Sequence, residues 1–120
     1  MRVRGIRGAT QLEADSAAEM IDAVSHLLSE MLAANGVKTE DLISIILTST
    51  PDLTSEFPAV AARKIGLGSV PLLCAVEIDV KDSLPRVVRV LMHAHLDRDL
   101  ADTKHVYLRG AAVLRKDLAQ

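Results

Sequence analysis

The sequence predicts an α+β fold: a mixed five-stranded sheet backed on one face by a long helix and accompanied by one short helix. Three observations predict it. Residues 16–36 carry apolar side chains at helical spacing, five short segments are rich in β-branched and aliphatic residues, and a second, shorter helical segment lies between two of them. The chain has 120 residues, and because a typical domain has about 150, residues 1–120 are predicted to form a single domain.

The first strand is predicted at Val3–Thr10, where β-branched residues lie between closely spaced glycines. Gly5 and Gly8 lack a Cβ, so this strand lets another backbone approach closely. Arg4 and Arg7 fall on opposite faces, because successive side chains of a strand point to opposite sides of the sheet.

The long helix is the most clearly marked element. It begins after Ser16, because Glu19 follows at the three-residue spacing of a capping box. It ends near Gly36, a residue typical of the position just past a helix C-terminus. The apolar stripe between them consists of Met20, Ile21, Val24, Leu27, Leu28, Met31 and Leu32.

The later elements alternate apolar runs with turn signals, and Pro71 favours an edge position for the strand that contains it. In chain order they are a buried strand at Leu42–Leu47, a polar loop at Thr48–Glu56, a short helix with Pro58 in its first turn that ends near Gly66, a strand at Val70–Ile78, a turn at Lys81–Pro85, a strand at Val87–His95, and a last strand or pair of strands at His105–Leu108 and Ala111–Leu114.

One helix covers only one face of a five-stranded sheet. The other face should therefore pack on a further surface, most simply another copy of this chain. The sequence accordingly predicts a homo-oligomer.

Composition excludes several classes of protein. The net charge of −2 and an aromatic content of 2 % disfavour a binder of nucleic acid or of a membrane surface, and the arginines near the N-terminus favour a small anionic ligand instead. A single cysteine, Cys74, permits no intrachain disulfide, which predicts a cytoplasmic location. No secretory segment opens the chain, and no apolar run approaches the roughly 20 residues of a membrane helix.

The sequence lacks the motifs of nucleophilic, nucleotide-dependent and paired-cysteine chemistry. Its unusual feature is arginine inside apolar segments, at Arg7, Arg89 and Arg115. A guanidinium offers five donors in a planar fork that suits carboxylates and phosphates. Residue types leave open whether these arginines converge on one anion or lie separately on solvated strand faces.

Other side chains leave similar alternatives. Glu77 is either a solvated strand end or an acceptor for a substrate hydroxyl or an arginine. Cys74 is a small buried residue unless it lines a site, and Tyr107 packs in the core with its hydroxyl at the rim. His93 and His95 share a strand face whose parity Asp97 continues, which leaves a zinc site as an alternative. A third firm ligand is not apparent, so no metal is predicted.

Several motifs together resemble one enzyme family, in order and over nearly the whole chain. They are Arg4-Gly5-Ile6-Arg7-Gly8-Ala9-Thr10, Thr50-Pro51-Asp52-Leu53, Phe57-Pro58-Ala59, Cys74 with Glu77 and Asp79, Arg89-Val90, His105-Val106-Tyr107-Leu108 and Val113-Leu114-Arg115. This set resembles the AroH class of monofunctional chorismate mutases.

The resemblance implies an isomerase that converts chorismate to prephenate by a Claisen rearrangement, in the biosynthesis of phenylalanine and tyrosine. It implies a homotrimer with a pseudo-barrel of sheets at its centre, no cofactor, and three equivalent sites at the subunit interfaces. Two alternative functions are those of a trimeric imine or enamine deaminase and of a regulatory module that binds an aromatic or dicarboxylate metabolite without turnover.

The resemblance also implies roles for particular residues. Arg89 would lie beside the breaking ether bond, Arg7 and Tyr107 would bind a substrate carboxylate, and Glu77 with Cys74 would contact the ring hydroxyl. The implied catalytic set is Arg89, Arg7 and Glu77. The implied binding set adds an apolar wall of Phe57, Ala59, Leu72 and Leu73, and two cations at the mouth of the pocket, Arg63 and Arg115. Its other members are Ala75, Val76, Tyr107 and Leu114.

One geometric conflict accompanies these roles. Cys74 and Glu77 are three residues apart, which places them on opposite faces of a regular strand. If both line one site, the strand must end or bulge between them, or one of them must face a neighbouring subunit.

Overall fold

The computed structural model describes residues 2–114 and confirms the α+β architecture with a five-stranded sheet. Short 3₁₀ turns occur at Thr39–Asp41, Leu100–Asp102 and Arg109–Leu114. The strands are β1 (Val3–Gln11), β2 (Leu42–Ser49), β3 (Leu72–Val76), β4 (Val87–His95) and β5 (Val106–Tyr107), and the helices are α1 (Ala17–Asn35) and α2 (Ala59–Lys64).

The sheet is mixed, with strand order β3-β2-β4-β1-β5. The central strand β4 pairs antiparallel with β1 and β2, whereas β3 and β5 pair parallel with β2 and β1. As predicted, β3 is an edge strand, and Pro71 directly precedes it, where its missing N–H costs no ladder hydrogen bond.

Helix α1 starts and ends at the predicted residues. The Ser16 hydroxyl accepts a hydrogen bond from the Glu19 N–H at 3.1 Å, and Gly36 closes the helix with a left-handed φ of 62°. The Glu19 carboxylate does not complete a capping box but accepts from the N–H groups of Glu13 and Ala14 at 2.6 and 3.1 Å. It therefore anchors the connection from β1 to α1.

The core lies between α1 and one face of the sheet. The buried side of the helix packs on alternate residues of the strands, which include Ile6, Val90 and Met92. Gly8 serves this packing: a Cβ placed on it would lie 2.4 Å from the Met31 sulfur. The close approach predicted at this glycine is therefore that of a helix side chain, not of another backbone.

The opposite face of the sheet, here called the open face, is covered by neither α1 nor α2. Arg7, Arg89 and Leu91 point to this face and are exposed, whereas Val88, Val90 and Met92 of the same region are buried. Leu73 is 62 % exposed and Val3 is 51 % exposed. A single chain thus leaves an apolar sheet surface in contact with solvent.

The structure corrects three boundaries. Residues 111–114 form a 3₁₀ turn rather than a strand, so β5 is only two residues long. Thr48 and Ser49 belong to β2 instead of the following loop, and β3 stops at Val76. Among residues 2–114, no helix is long and apolar enough to cross a membrane.

Candidate active site

A cavity of about 440 Å³ lies on the open face, over the middle of the sheet. Among residues 2–114, the charged side chains that line it are two arginines, Arg7 and Arg89. Tyr107 and Leu114, two other residues predicted for the site, also line it. The structure therefore brings these four residues together in what we call the sheet-face cavity.

Strand register explains why the two arginines meet. Arg7 lies opposite Leu91 and Ala9 lies opposite Arg89 in the antiparallel pair of β1 and β4. Directly opposed residues share a face, so Arg7 and Arg89 both point to the open face from neighbouring strands. The parallel pairing of Ala9 with Tyr107 brings the tyrosine to the same cavity.

Arg89 is held by a carboxylate and, through it, by a hydroxyl. The Arg89 Nε donates to Glu77 Oε1 at 3.2 Å, and the Thr48 hydroxyl donates to Glu77 Oε2 at 2.7 Å. The Glu77 side chain is only 14 % exposed, whereas that of Arg89 is 50 % exposed. Glu77 thus faces the sheet, while the guanidinium extends toward the cavity.

His105 fixes the backbone next to the other arginine. Its Nδ1 accepts a hydrogen bond from the Arg7 N–H at 2.9 Å, so this nitrogen is unprotonated. Partial burial and, secondarily, the positive charge of Arg7 lower the pKa of His105 below 6.5. The histidine therefore remains neutral at pH 7.

A second cavity, of about 460 Å³, lies beside β3, on the side of that strand to which Cys74 points. We call it the loop cavity, because the chain between β2 and α2 forms most of its wall. Of the predicted residues, it contains Phe57, Cys74, Ala75 and Val76. Phe57 is 67 % exposed, which is unusual for the only phenylalanine of a chain this poor in aromatic residues.

The loop that carries Phe57 is fixed at its start by the Thr50-Pro51-Asp52 motif. The Thr50 hydroxyl accepts from the Val87 N–H at 3.0 Å and donates to Asp52 at 2.5 Å. Asp52 in turn accepts from the Arg86 N–H at 3.0 Å. These bonds tie the end of β2 to the start of β4.

Asp15 fixes the same loop further along. Its carboxylate accepts hydrogen bonds from the hydroxyls and backbone N–H groups of Thr54 and Ser55, at 2.7 to 3.1 Å. These bonds, led by that from the Ser55 hydroxyl, lower the pKa of Asp15 to about 2. The lining residues Thr54 and Ser55 are therefore anchored to the segment that precedes α1.

The predicted site is divided between the two cavities. Cys74 points into the loop cavity, whereas Glu77 lies just beyond the end of β3 and bonds to Arg89 on the open face. The three-residue spacing has the consequence expected of a strand: within one chain, the two side chains lie on opposite sides of the sheet.

The remaining predicted residues lie outside both cavities. Ala59 is buried in the core, Leu72 packs against the core, and Leu73 is exposed on the open face. Arg63 is exposed near the end of α2. Arg115 lies outside the described residues.

The histidine pair lies outside both cavities. The His93 Nδ1 lies 3.2 Å from the Ser44 hydroxyl, and His95 is exposed on the open face near the end of β4. In the described part of the chain, no group of three or more His, Cys, Asp or Glu side chains is placed to hold a metal ion.

Sequence reasoning missed Thr48, Ile46 and Leu91 as lining residues of the sheet-face cavity. The alternation of side chains along a strand could have identified them. Ile46 and Thr48 lie on the same face of β2, and Leu91 lies two residues from Arg89 on the same face of β4. Thr48 escaped notice because it was assigned to a loop.

Comparisons with known proteins agree on one family. A family model described as chorismate mutase type I matches residues 3–118. The chain is 51 % identical to the chorismate mutase AroH of Thermus thermophilus over 117 residues, which cover 97 % of this chain and 96 % of that protein. It is 40 % identical to the chorismate mutase AroH of Bacillus subtilis over 120 residues, covering 99 % and 94 %.

A solved structure of chorismate mutase from Clostridium thermocellum superposes on the model with a TM-score of 0.90 and 48 % sequence identity. The match covers 92 % of this chain and 98 % of that one. The similarity therefore extends over most of the chain.

Proposed function

Because the chain belongs to the chorismate mutase type I family, we propose that it acts through the sheet-face cavity, where it converts chorismate to prephenate. The enzyme is an isomerase of the route to phenylalanine and tyrosine. One observation carries the assignment of the site: in the described part of the chain, the charged side chains that line this cavity are both arginines. Chorismate is a dianion, and two guanidiniums match its charge.

Arg7 and Tyr107 bind a carboxylate of the substrate in this proposal. Both border the same cavity from adjacent strands, and a guanidinium with a phenol supplies several donors to one carboxylate. The backbone at Arg7 is held by His105, so the strand position that carries this guanidinium is set before substrate arrives. Prior positioning lowers the entropic cost of holding a flexible dianion in its reactive conformer.

Arg89 supplies the transition-state stabilisation. A Claisen rearrangement is intramolecular and pericyclic, so it requires no nucleophile and no general base. As the C–O bond lengthens, negative charge develops on the ether oxygen. A guanidinium fixed beside this oxygen stabilises the transition state more than the ground state.

We further propose that the complete site forms between subunits of a homotrimer. In one chain, Phe57 and Cys74 line a different cavity from Arg7 and Arg89. A neighbouring subunit packed on the open face would bring its loop cavity to the sheet-face cavity and bury the exposed apolar residues. The Cys74 thiol or backbone and the apolar wall would then reach the substrate from the neighbouring subunit.

The experiment that tests the function is direct. Purified protein is added to chorismate without metal or cofactor, the loss of chorismate absorbance in the ultraviolet is followed, and prephenate is confirmed as the product. Saturable turnover that survives EDTA is the expected result. Absence of turnover by folded protein would contradict the proposal, and an imine substrate would then test the deaminase alternative.

A further inference from the structure

We infer that Thr48 is a positioning residue that acts on Arg89 through Glu77, an inference that rests on the proposed function of the sheet-face cavity. Thr48 lies directly opposite Arg89 in the pairing of β2 with β4. Its hydroxyl donates to Glu77 Oε2 at 2.7 Å, while Glu77 Oε1 accepts from Arg89 Nε at 3.2 Å. One carboxylate therefore links the hydroxyl to the guanidinium.

The linkage fixes the direction of the guanidinium. A carboxylate accepts on both oxygens, and without Thr48 it would rotate about its last side-chain bond, because this sp³–sp² torsion is broad. With Oε2 held by Thr48, Oε1 is directed at Arg89 Nε. The four N–H bonds of the two terminal nitrogens of Arg89 then remain for a ligand.

Backbone contacts make Thr48 a rigid support. Thr48 sits within β2, where strands β3 and β4 flank it, and it pairs with Ala75 and Arg89. The Glu77 N–H donates to the Ser49 carbonyl at 2.9 Å, so the backbone of Glu77 is held on β2 as well. In addition, a β-branched side chain in a strand has few rotamers. The hydroxyl thus holds the carboxylate from a fixed point of the sheet.

The matched pair of variants is Thr48→Val and Thr48→Ser. Valine keeps the branched shape and removes the hydroxyl, whereas serine keeps the hydroxyl and removes a methyl group. Because hydrogen bonds to charged groups contribute more than neutral ones, we expect Thr48→Val to lower kcat about 10- to 100-fold. KM should change less than threefold, and Thr48→Ser should keep most of the wild-type kcat.

A double-mutant cycle with Glu77→Ala separates positioning from a structural role. If Thr48 acts through Glu77, Thr48→Val lowers kcat in the wild-type background but has no further effect once Glu77 is absent. An equal factor in both backgrounds would overturn the inference, as would a Thr48→Ser variant as slow as Thr48→Val.

A spectroscopic measurement keeps this test separate from that of the function. The Nε–H proton of Arg89 should exchange slowly with water in the NMR spectrum of the wild type and of Thr48→Ser, and several-fold faster in Thr48→Val. Unchanged exchange in folded Thr48→Val would overturn the positioning role. The spectrum requires no substrate, so failure of chorismate turnover in the wild type would count against the proposed function alone.

Discussion

At the scale of single residues, Arg89 is the side chain whose removal we expect to lower kcat most. A guanidinium remains charged at any physiological pH, and in this protein one carboxylate fixes its direction. Arg89→Ala removes the donor that, in the proposed mechanism, faces the developing oxyanion. The expected loss in kcat is about 10²- to 10³-fold or more, as for the loss of one oxyanion-hole donor.

Steady-state kinetics with chorismate measure this loss. Arg2→Ala is the matched control, because Arg2 also belongs to a surface ion pair, with Asp99 at 2.8 Å, but lies outside both cavities. The control should retain wild-type kcat, since an exposed ion pair contributes little to the stability of the fold. A near-normal kcat in folded Arg89→Ala would remove Arg89 from the mechanism.

His105 makes a second prediction at this scale, on the pH dependence of stability. Its folded-state pKa is lowered, so the unfolded chain binds a proton more readily than the folded one. The stability linked to His105 is therefore complete above pH 6.5 and is lost as pH falls through the lower folded-state value. Protonation also removes the acceptor of the Arg7 N–H.

Urea unfolding at a series of pH values tests this dependence. Between pH 7 and pH 5, the wild type should lose stability more steeply than His105→Asn, whose amide oxygen accepts near the Nδ1 position without titrating. His26→Asn, which replaces an exposed histidine of α1, serves as the control for a histidine substitution away from Arg7. Parallel curves for the wild type and His105→Asn would show that this histidine makes no contribution.

At the scale of elements, the contact between β1 and α1 depends on one glycine. A Cβ on Gly8 would lie 2.4 Å from the sulfur of Met31, so Gly8→Ala must displace this side chain or the helix. We expect a loss of about 1–3 kcal/mol in the free energy of unfolding, as for other overpacked cores.

The same strand supplies the control for this substitution. A Cβ on Gly5 would lie 3.6 Å from Leu91, an ordinary contact, so Gly5→Ala should leave stability within about 0.5 kcal/mol of the wild type. Chemical denaturation of both variants gives the comparison. Equal stability of Gly8→Ala and Gly5→Ala would show that Met31 moves aside without cost.

The loop of Phe57 is the second element whose position can be tested. Asp15 holds this loop at Thr54 and Ser55, and its pKa of about 2 means that the anchor persists down to low pH. Asp15→Ala should increase hydrogen exchange at these two amides and raise KM for chorismate, because the wall that carries Phe57 would loosen. In the wild type, the same amides should become unprotected only as pH falls from 3.8 through about 2.

Glu40→Ala, which removes an exposed carboxylate of a different segment, is the control for Asp15→Ala. It should leave both the exchange rates and KM unchanged. Unaltered protection of Thr54 and Ser55 in Asp15→Ala would mean that the remaining loop contacts are sufficient.

The individual elements also show which parts of the fold can be predicted from the sequence. Helix α1 was predictable because its cap, stripe and terminal glycine all act locally, and β4 was predictable because it is rich in Val, Leu and Met. Residues 111–114 were mispredicted as a strand, because no local signal separates an apolar strand from a 3₁₀ turn of similar composition. The meeting of Arg7 with Arg89 depends on a register between strands about 80 residues apart, which a single sequence does not specify.

At the scale of the whole molecule, the open face and the divided site have one explanation. Under the proposed function, the apolar sheet surface exposed in a single chain requires a partner, and the two cavities require each other. A homotrimer in which each open face receives the loop cavity of the next subunit satisfies both requirements with one repeated contact. Cys74 and Glu77 then belong to different halves of the site because residues three apart on a strand point to opposite faces of the sheet.

Complementation between two inactive variants tests this arrangement. Arg89→Ala disables the sheet-face half of the site, and Phe57→Asp disables the loop half by placing a carboxylate where a dianion must bind. Phe57 is 67 % exposed in one chain, so the folded chain should tolerate the change. If each site takes one half from each of two neighbouring subunits, an equal mixture unfolded and refolded together would contain about one intact site in four.

The expected result is that the co-refolded mixture recovers roughly a quarter of wild-type activity, while each variant refolded alone stays nearly inactive. The mass of the wild type in solution should correspond to three chains of 12.9 kDa. A mixture no more active than the mean of its two components would place both halves of the site in one subunit. In that case, the two cavities would have to join by a rearrangement within a single chain. A shared site between subunits would then no longer explain the exposed open face.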